Sequence, residues 1–211
     1  AEARAGRYGA ASLVGYVAGD HTAAAVLRGL DFYSKGQLDQ AVTQLNIASG
    51  PRRDFFPAAL FLGATFAAAG RDRDAAGVWQ LAMGNEPRPS VVYAMVADAR
   101  LRDGQAESAI DILEPAYERQ PSDDEIGKRL AMAYVMTARY SDAIPVLDGY
   151  LTRHPTDQDF LLAAVLAQYE LVRAGQTLSN VDRAKLRRYS AAYKGPESAL
   201  VEKYLETMQA R

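Results

Sequence analysis

A spacing of 34 residues governs this sequence. Ala59, Leu62, Gly63, Phe66, Ala75, Trp79, Ala82 and Pro87 return one period later as Tyr93, Val96, Ala97, Arg100, Ala109, Leu113, Ala116 and Pro121. A second step gives Gly127, Leu130, Ala131, Tyr134, Ala143, Leu147, Tyr150 and Pro155, and a step backwards gives Ala25, Gly29, Phe32, Ala41, Leu45 and Ala48. Similarity at a fixed period of this length marks stacked units, none of which can bury its apolar face alone. Spacings of three and four inside each unit predict two helices, here called A and B, with Gly36, Gly70 and Gly104 at the turns between them. Ala138 occupies the fourth such turn, which is therefore expected to be tighter or to close differently.

The small residues have a packing reason. Gly29, Gly63, Ala97 and Ala131 on helix A, and Ala41, Ala75, Ala109 and Ala143 on helix B, fall where the two helices cross closely, and a large side chain there would push them apart. Pro115 lies deep in a helix B and predicts a kink, whereas Pro145 falls in a first turn after Ser141, a candidate cap. Asp123 or Asp124, and Asp157, are expected to cap the helices that follow. Beyond Pro155 the register lapses: helices are expected over 160–174, 181–194 and 197–209, with a loop over 175–180.

The period and residue pattern resemble the tetratricopeptide repeat family. The resemblance implies an all-α fold, a right-handed α-solenoid of helix-turn-helix repeats. Its expected organisation is a packing or linker segment over 1–21, repeats with a fifth helix A over 22–174, and divergent helices with a cap over 175–211, all in one continuous solenoid. The chain is expected to be a domain of a larger protein.

The resemblance also implies where a partner would bind. In the family the concave surface is lined by helix A. Carried onto this sequence, the lining positions include Val26, Leu30 and Tyr33 in repeat one, Leu60, Ala64 and Ala67 in repeat two, and Asp98 and Leu101 in repeat three. Repeat four supplies Lys128, Met132, Val135 and Met136, and the partial fifth Leu162, Leu166 and Tyr169. Val26 and Leu30 stand where the family's carboxylate clamp needs lysine and asparagine, so a chaperone C-terminal tail is not the expected ligand. A mostly apolar groove with two adaptable methionines suits a peptide, an amphipathic helix or a neighbouring domain. A groove filled by the chain's own terminal segments, or by a second copy in a homodimer, is the alternative.

Composition removes other functions. A net charge of -2 provides no strong field for nucleic acid or anionic lipid. The longest apolar run, 55–69, is broken by Pro57, Gly63 and Thr65 and falls short of a membrane span. No cysteine is present, which excludes disulfides and thiolate metal sites. His21 and His154 lie in no catalytic or metal-binding spacing, and His154 suits the end of a helix B, where the dipole favours a cation. No catalytic residue, metal or cofactor is expected. The basic run Arg183, Lys185, Arg187 and Arg188 is expected to be a solvated helix face. The abundance of alanine and arginine suits a bacterial source; the compartment stays open, with an exported or cell-envelope protein favoured and a cytoplasmic one allowed.

Overall fold

The structure is a computed structural model that describes residues 21–50, 56–84 and 90–209. Pro87, residues 1–20 and the side chain of Pro57 lie outside the described set. The chain divides into two compact units, Ala1–Gly104 and Gln105–Arg211.

Eleven helices occupy the described residues. In the first unit they are α1 (His21–Ser34), α2 (Leu38–Ser49), α3 (Phe56–Ala68), α4 (Asp72–Met83) and α5 (Ser90–Arg102). In the second they are α6 (Ala106–Arg119), α7 (Asp124–Met136), α8 (Tyr140–Arg153), α9 (Gln158–Arg173), α10 (Asn180–Ala192) and α11 (Ser198–Gln209). Within each unit the helices pack chiefly on their neighbours in sequence, except α11, which packs more extensively on α9 than on α10. His21 already belongs to α1.

The periodic positions form the core. Ala41, Leu45, Ala75, Val96, Ala97, Ala109, Leu113, Ala131, Ala143 and Leu147 are wholly removed from solvent. Close approach explains the glycines of helix A. A β-carbon on Gly29 would come within 2.6 Å of Leu45 Cγ, and one on Gly63 would overlap the Trp79 indole at Nε1. The Trp79 ring N–H donates to the Leu60 carbonyl at 3.0 Å, so the indole both fills the crossing and satisfies its one polar atom.

The turns close in one way throughout. Gly36, Gly70 and Gly104 have φ of 74°, 71° and 74°. The fourth turn is tighter in φ, at 56° for Ala138, but stays in the same left-handed region and closes in the same way: Arg139 N–H reaches the Tyr134 carbonyl at 2.8 Å as Arg71 N–H reaches that of Phe66 at 2.9 Å. The prolines and caps follow local chemistry. α6 runs through Pro115 as a single helix. Asp123 Oδ1 accepts from the N–H groups of Glu125 and Ile126, and Asp157 caps α9 through the Phe160 N–H. Ser141 is not a cap, because α8 already starts at Tyr140. Ser179, not expected as a cap, accepts from the Asp182 N–H at 3.1 Å and starts α10 at Asn180.

A polar rung recurs between repeats with the same period as the core. Arg100 donates to Gln80 at 2.8 Å, and 34 residues later the Tyr134 hydroxyl donates to Glu114 at 2.7 Å. The next rung in register would join Asp148 and Gln168. Asp148 is instead engaged by Lys185 Nζ at 2.5 Å and the Tyr189 hydroxyl at 2.7 Å, both from α10. Gln168 is left fully buried with neither amide atom hydrogen bonded. Lys185 is thus a structural anchor, which corrects its reading as part of a solvated face.

Candidate functional site

None of the fifteen named lining residues is fully buried, although they alternate along each helix A with core residues that are. The alternation is set by the helical repeat: Leu130 and Ala131 turn inwards, and Lys128, Met132, Val135 and Met136 share the other side of α7.

In the first unit, Val26 is half-buried against the small cluster of Ala25, Ala48 and Ala58. Leu30, Leu60, Ala64, Ala67, Asp98 and Leu101 are half-buried, and Tyr33 is 41% exposed. Beside the C-terminal ends of α3 and α5, Arg102 pairs with Asp72 at 2.8 Å and Arg73 with Asp103 at 3.0 Å. The bond to Asp72 chiefly raises the Arg102 pKa, with a further contribution from the charge of Asp98.

In the second unit, Met132 and Met136 are 38% and 56% exposed, and Val135 between them is half-buried. Lys128 extends over the Tyr150 ring, 5.2 Å from its centroid, and the Tyr150 hydroxyl donates to Asp157 at 2.8 Å. The Tyr150 hydroxyl raises the Lys128 pKa, and Asp157 and Glu125 add to the shift, so this cation is fixed on an otherwise apolar face. Leu162 and Leu166 of α9 are half-buried, one period beyond Lys128 and Met132. Tyr169, one period beyond Val135, is stacked on Tyr204 of α11 with ring centroids 4.0 Å apart and planes inclined at 20°.

The two histidines sit in different settings. His21 is exposed at the start of α1. His154 caps α8, stacks on Tyr150, and meets Asp124 Oδ2 at 2.5 Å, while Arg153 meets Asp124 Oδ1 at 2.9 Å. Burial pushes the Asp124 carboxyl upwards, but the bonds from His154 and Arg153 outweigh it and hold the pKa below the usual carboxylate value. This cluster clasps the end of one helix to the start of another and needs no ligand to explain it.

Sequence reasoning missed the Tyr169–Tyr204 stack and the polar rung. The rung had a signal, the equal 20-residue separations of Gln80 from Arg100 and Glu114 from Tyr134. The stack had none, because α11 has no place in the 34-residue register. Among the described residues no helix is long and apolar enough to cross a membrane.

Helix pairs with small residues at each crossing, left-handed turns and period-locked cores define, within each unit, helix-turn-helix repeats of the α-solenoid class. Residues 100–181 match the tetratricopeptide repeat family, and solved structures of that architecture share the fold. A crystal structure of MamA aligns with 82% of this chain and 92% of its own length at 18% identity and a TM-score of 0.66. YrrB, described as a TPR protein with an unusual peptide-binding site, aligns over 85% of this chain and 90% of its own length at 14% identity and a TM-score of 0.65. No curated protein sequence matches significantly. The chain thus has the fold of tetratricopeptide repeat proteins, and its residues 100–181 carry that family's sequence pattern.

Proposed function

We propose that the chain is a non-catalytic binding module that holds a peptide or helical segment of another protein on the outward faces of its A helices. The observation that carries this reading is the exposure of Met132 and Met136 beside half-buried Val135, on a helix whose opposite side buries Leu130 to 1% exposure. Large apolar side chains left together in solvent mark interaction surfaces, and methionine adapts to irregular partners. The fold shared with YrrB, whose description names a peptide-binding site, gives further support. Lys128, fixed over Tyr150, adds one point of charge selection and favours a partner with a carboxylate at the rim of its apolar stripe.

The test is selection of binding peptides from a helical library against the intact chain, followed by Met132→Asp with Met136→Asp. Because both side chains are exposed, the double variant should retain its circular dichroism spectrum and melting temperature while losing at least about tenfold in affinity for the selected peptides. Unchanged affinity in a folded double variant would exclude this face.

A further inference from the structure

We propose that the Tyr169 face of α9 is a recognition site for an amphipathic helix with apolar residues at positions i, i+3, i+4 and i+7, the second of them aromatic, and that α11 is its resident, displaceable occupant. The proposal rests on reading the A-helix faces as the binding surface and names the partner class and its internal competitor. Val201, Tyr204, Leu205 and Met208 give α11 this spacing, and Val201 and Met208 are buried while Tyr204 and Leu205 are half-buried. Tyr204 is the residue stacked on Tyr169. In the preceding repeats of each unit a helix packs most extensively on its neighbours in sequence, whereas α11 packs more extensively on α9 than on the adjoining α10. Leu205 and Met208, further along the helix, line a small cavity with Leu178, Arg183 and Leu186, so α11 is seated across α9 and the start of α10 and not stacked as the next repeat.

The connection to α10 favours this seat without making it permanent. The Tyr193 hydroxyl donates to Glu197, and Ser198 Oγ donates to the Gly195 carbonyl at 2.6 Å, which turns the chain sharply back towards α9. So short a tether gives α11 an effective concentration on the order of millimolar, enough to hold a weak contact closed. A helix of 12 residues is marginal alone in water, so α11 depends on the face it covers. Leu200, on the outer side, is 41% exposed, and Met132 and Met136 on α7 stay largely open. A longer partner helix that covers both α9 and α7 therefore gains contacts that the resident does not make.

The probe is a synthetic peptide of residues 197–209, titrated into the full chain labelled with 13C at the methionine methyls. Displacement is expected to move the Met208 methyl resonance from a buried to a solvent-like position. Tyr204→Glu in the chain is expected to tighten peptide binding about tenfold, since it weakens the competitor and leaves the seat intact. Tyr204→Ala gives the same comparison without an added charge if the glutamate variant fails to fold. Tyr169→Ala is expected to weaken peptide binding to the Tyr204→Ala chain. A Met208 resonance that stays buried at saturating peptide, or no gain in affinity in a folded Tyr204 variant, overturns the proposal. So does a stable dimer by light scattering in which the helix is exchanged between copies. If the library peptides move Met132 and Met136 while Met208 remains fixed, the groove reading stands and only this inference fails.

Discussion

Gly63 and Trp79 are in direct contact, the indole lying where a side chain at position 63 would have to begin. The contact sets the approach of α3 to α4. Gly63→Ala forces Trp79 out of its place and out of its bond to Leu60, with an expected cost of about 1–3 kcal/mol. Urea denaturation measures it directly, and a cost below about 0.5 kcal/mol would mean the helices separate freely. Gly77, where an added β-carbon would meet nothing within 4 Å, is the control: Gly77→Ala should be stabilising by about 0.5–1 kcal/mol through helix propensity.

Ala138 holds a conformation that glycine adopts without strain. The left-handed region costs an L residue about 1–2 kcal/mol, and glycine returns about 0.4–1 kcal/mol of that through the greater entropy of the unfolded chain. Ala138→Gly should therefore stabilise the protein by up to about 1 kcal/mol. A rise in the denaturation midpoint at constant slope is the expected sign, and a fall would show that the turn is not strained.

Gln168 gives the opposite of the usual result for a core substitution. Both its amide atoms are buried and unbonded, at a typical penalty of about 1–3 kcal/mol for each unsatisfied group. Gln168→Met keeps the shape and removes the penalty, so the variant should be more stable by at least about 1 kcal/mol. Loss of stability would mean that the amide is bonded after all.

Tyr189 makes folding sensitive to alkali. Burial, then the bond to Asp148, pushes its hydroxyl up to about 12. The unfolded value is about 10. A group whose folded pKa is raised contributes stability that is complete below the unfolded value and disappears as pH climbs through the folded one. Stability should hold up to about pH 10 and decline towards 12, and Tyr189→Phe should flatten the decline in denaturation curves taken across that window. A variant with an unchanged alkaline profile would assign the loss to other groups.

How much was readable in advance depended on whether a residue obeyed the period. Ala41, Leu45, Ala75, Trp79, Leu113, Leu130 and Leu147 lie buried as their register requires, because each faces the same crossing one repeat further on. Asp123 and Asp157 were legible as caps from their place before a periodic run. Ser141 was misread for a physical reason: the left-handed turn at Ala138 lets α8 start at Tyr140, one residue before the serine. Lys185 and Tyr204 were beyond reach, since both lie outside the repeat register and their partners Asp148 and Tyr169 are 37 and 35 residues away.

The most direct test of the binding face uses the five methionines as probes. Met132 and Met136 lie exposed on α7, Met83 is buried at the end of α4, and Met208 reports on α11. The measurement is the 13C-methyl methionine spectrum of the intact chain with a peptide selected for binding to it. Binding on the A-helix face should shift Met132 and Met136 while Met83 stays in place. A saturable shift at Met83, with Met132 and Met136 unmoved, would contradict the assignment and put the site elsewhere on the molecule.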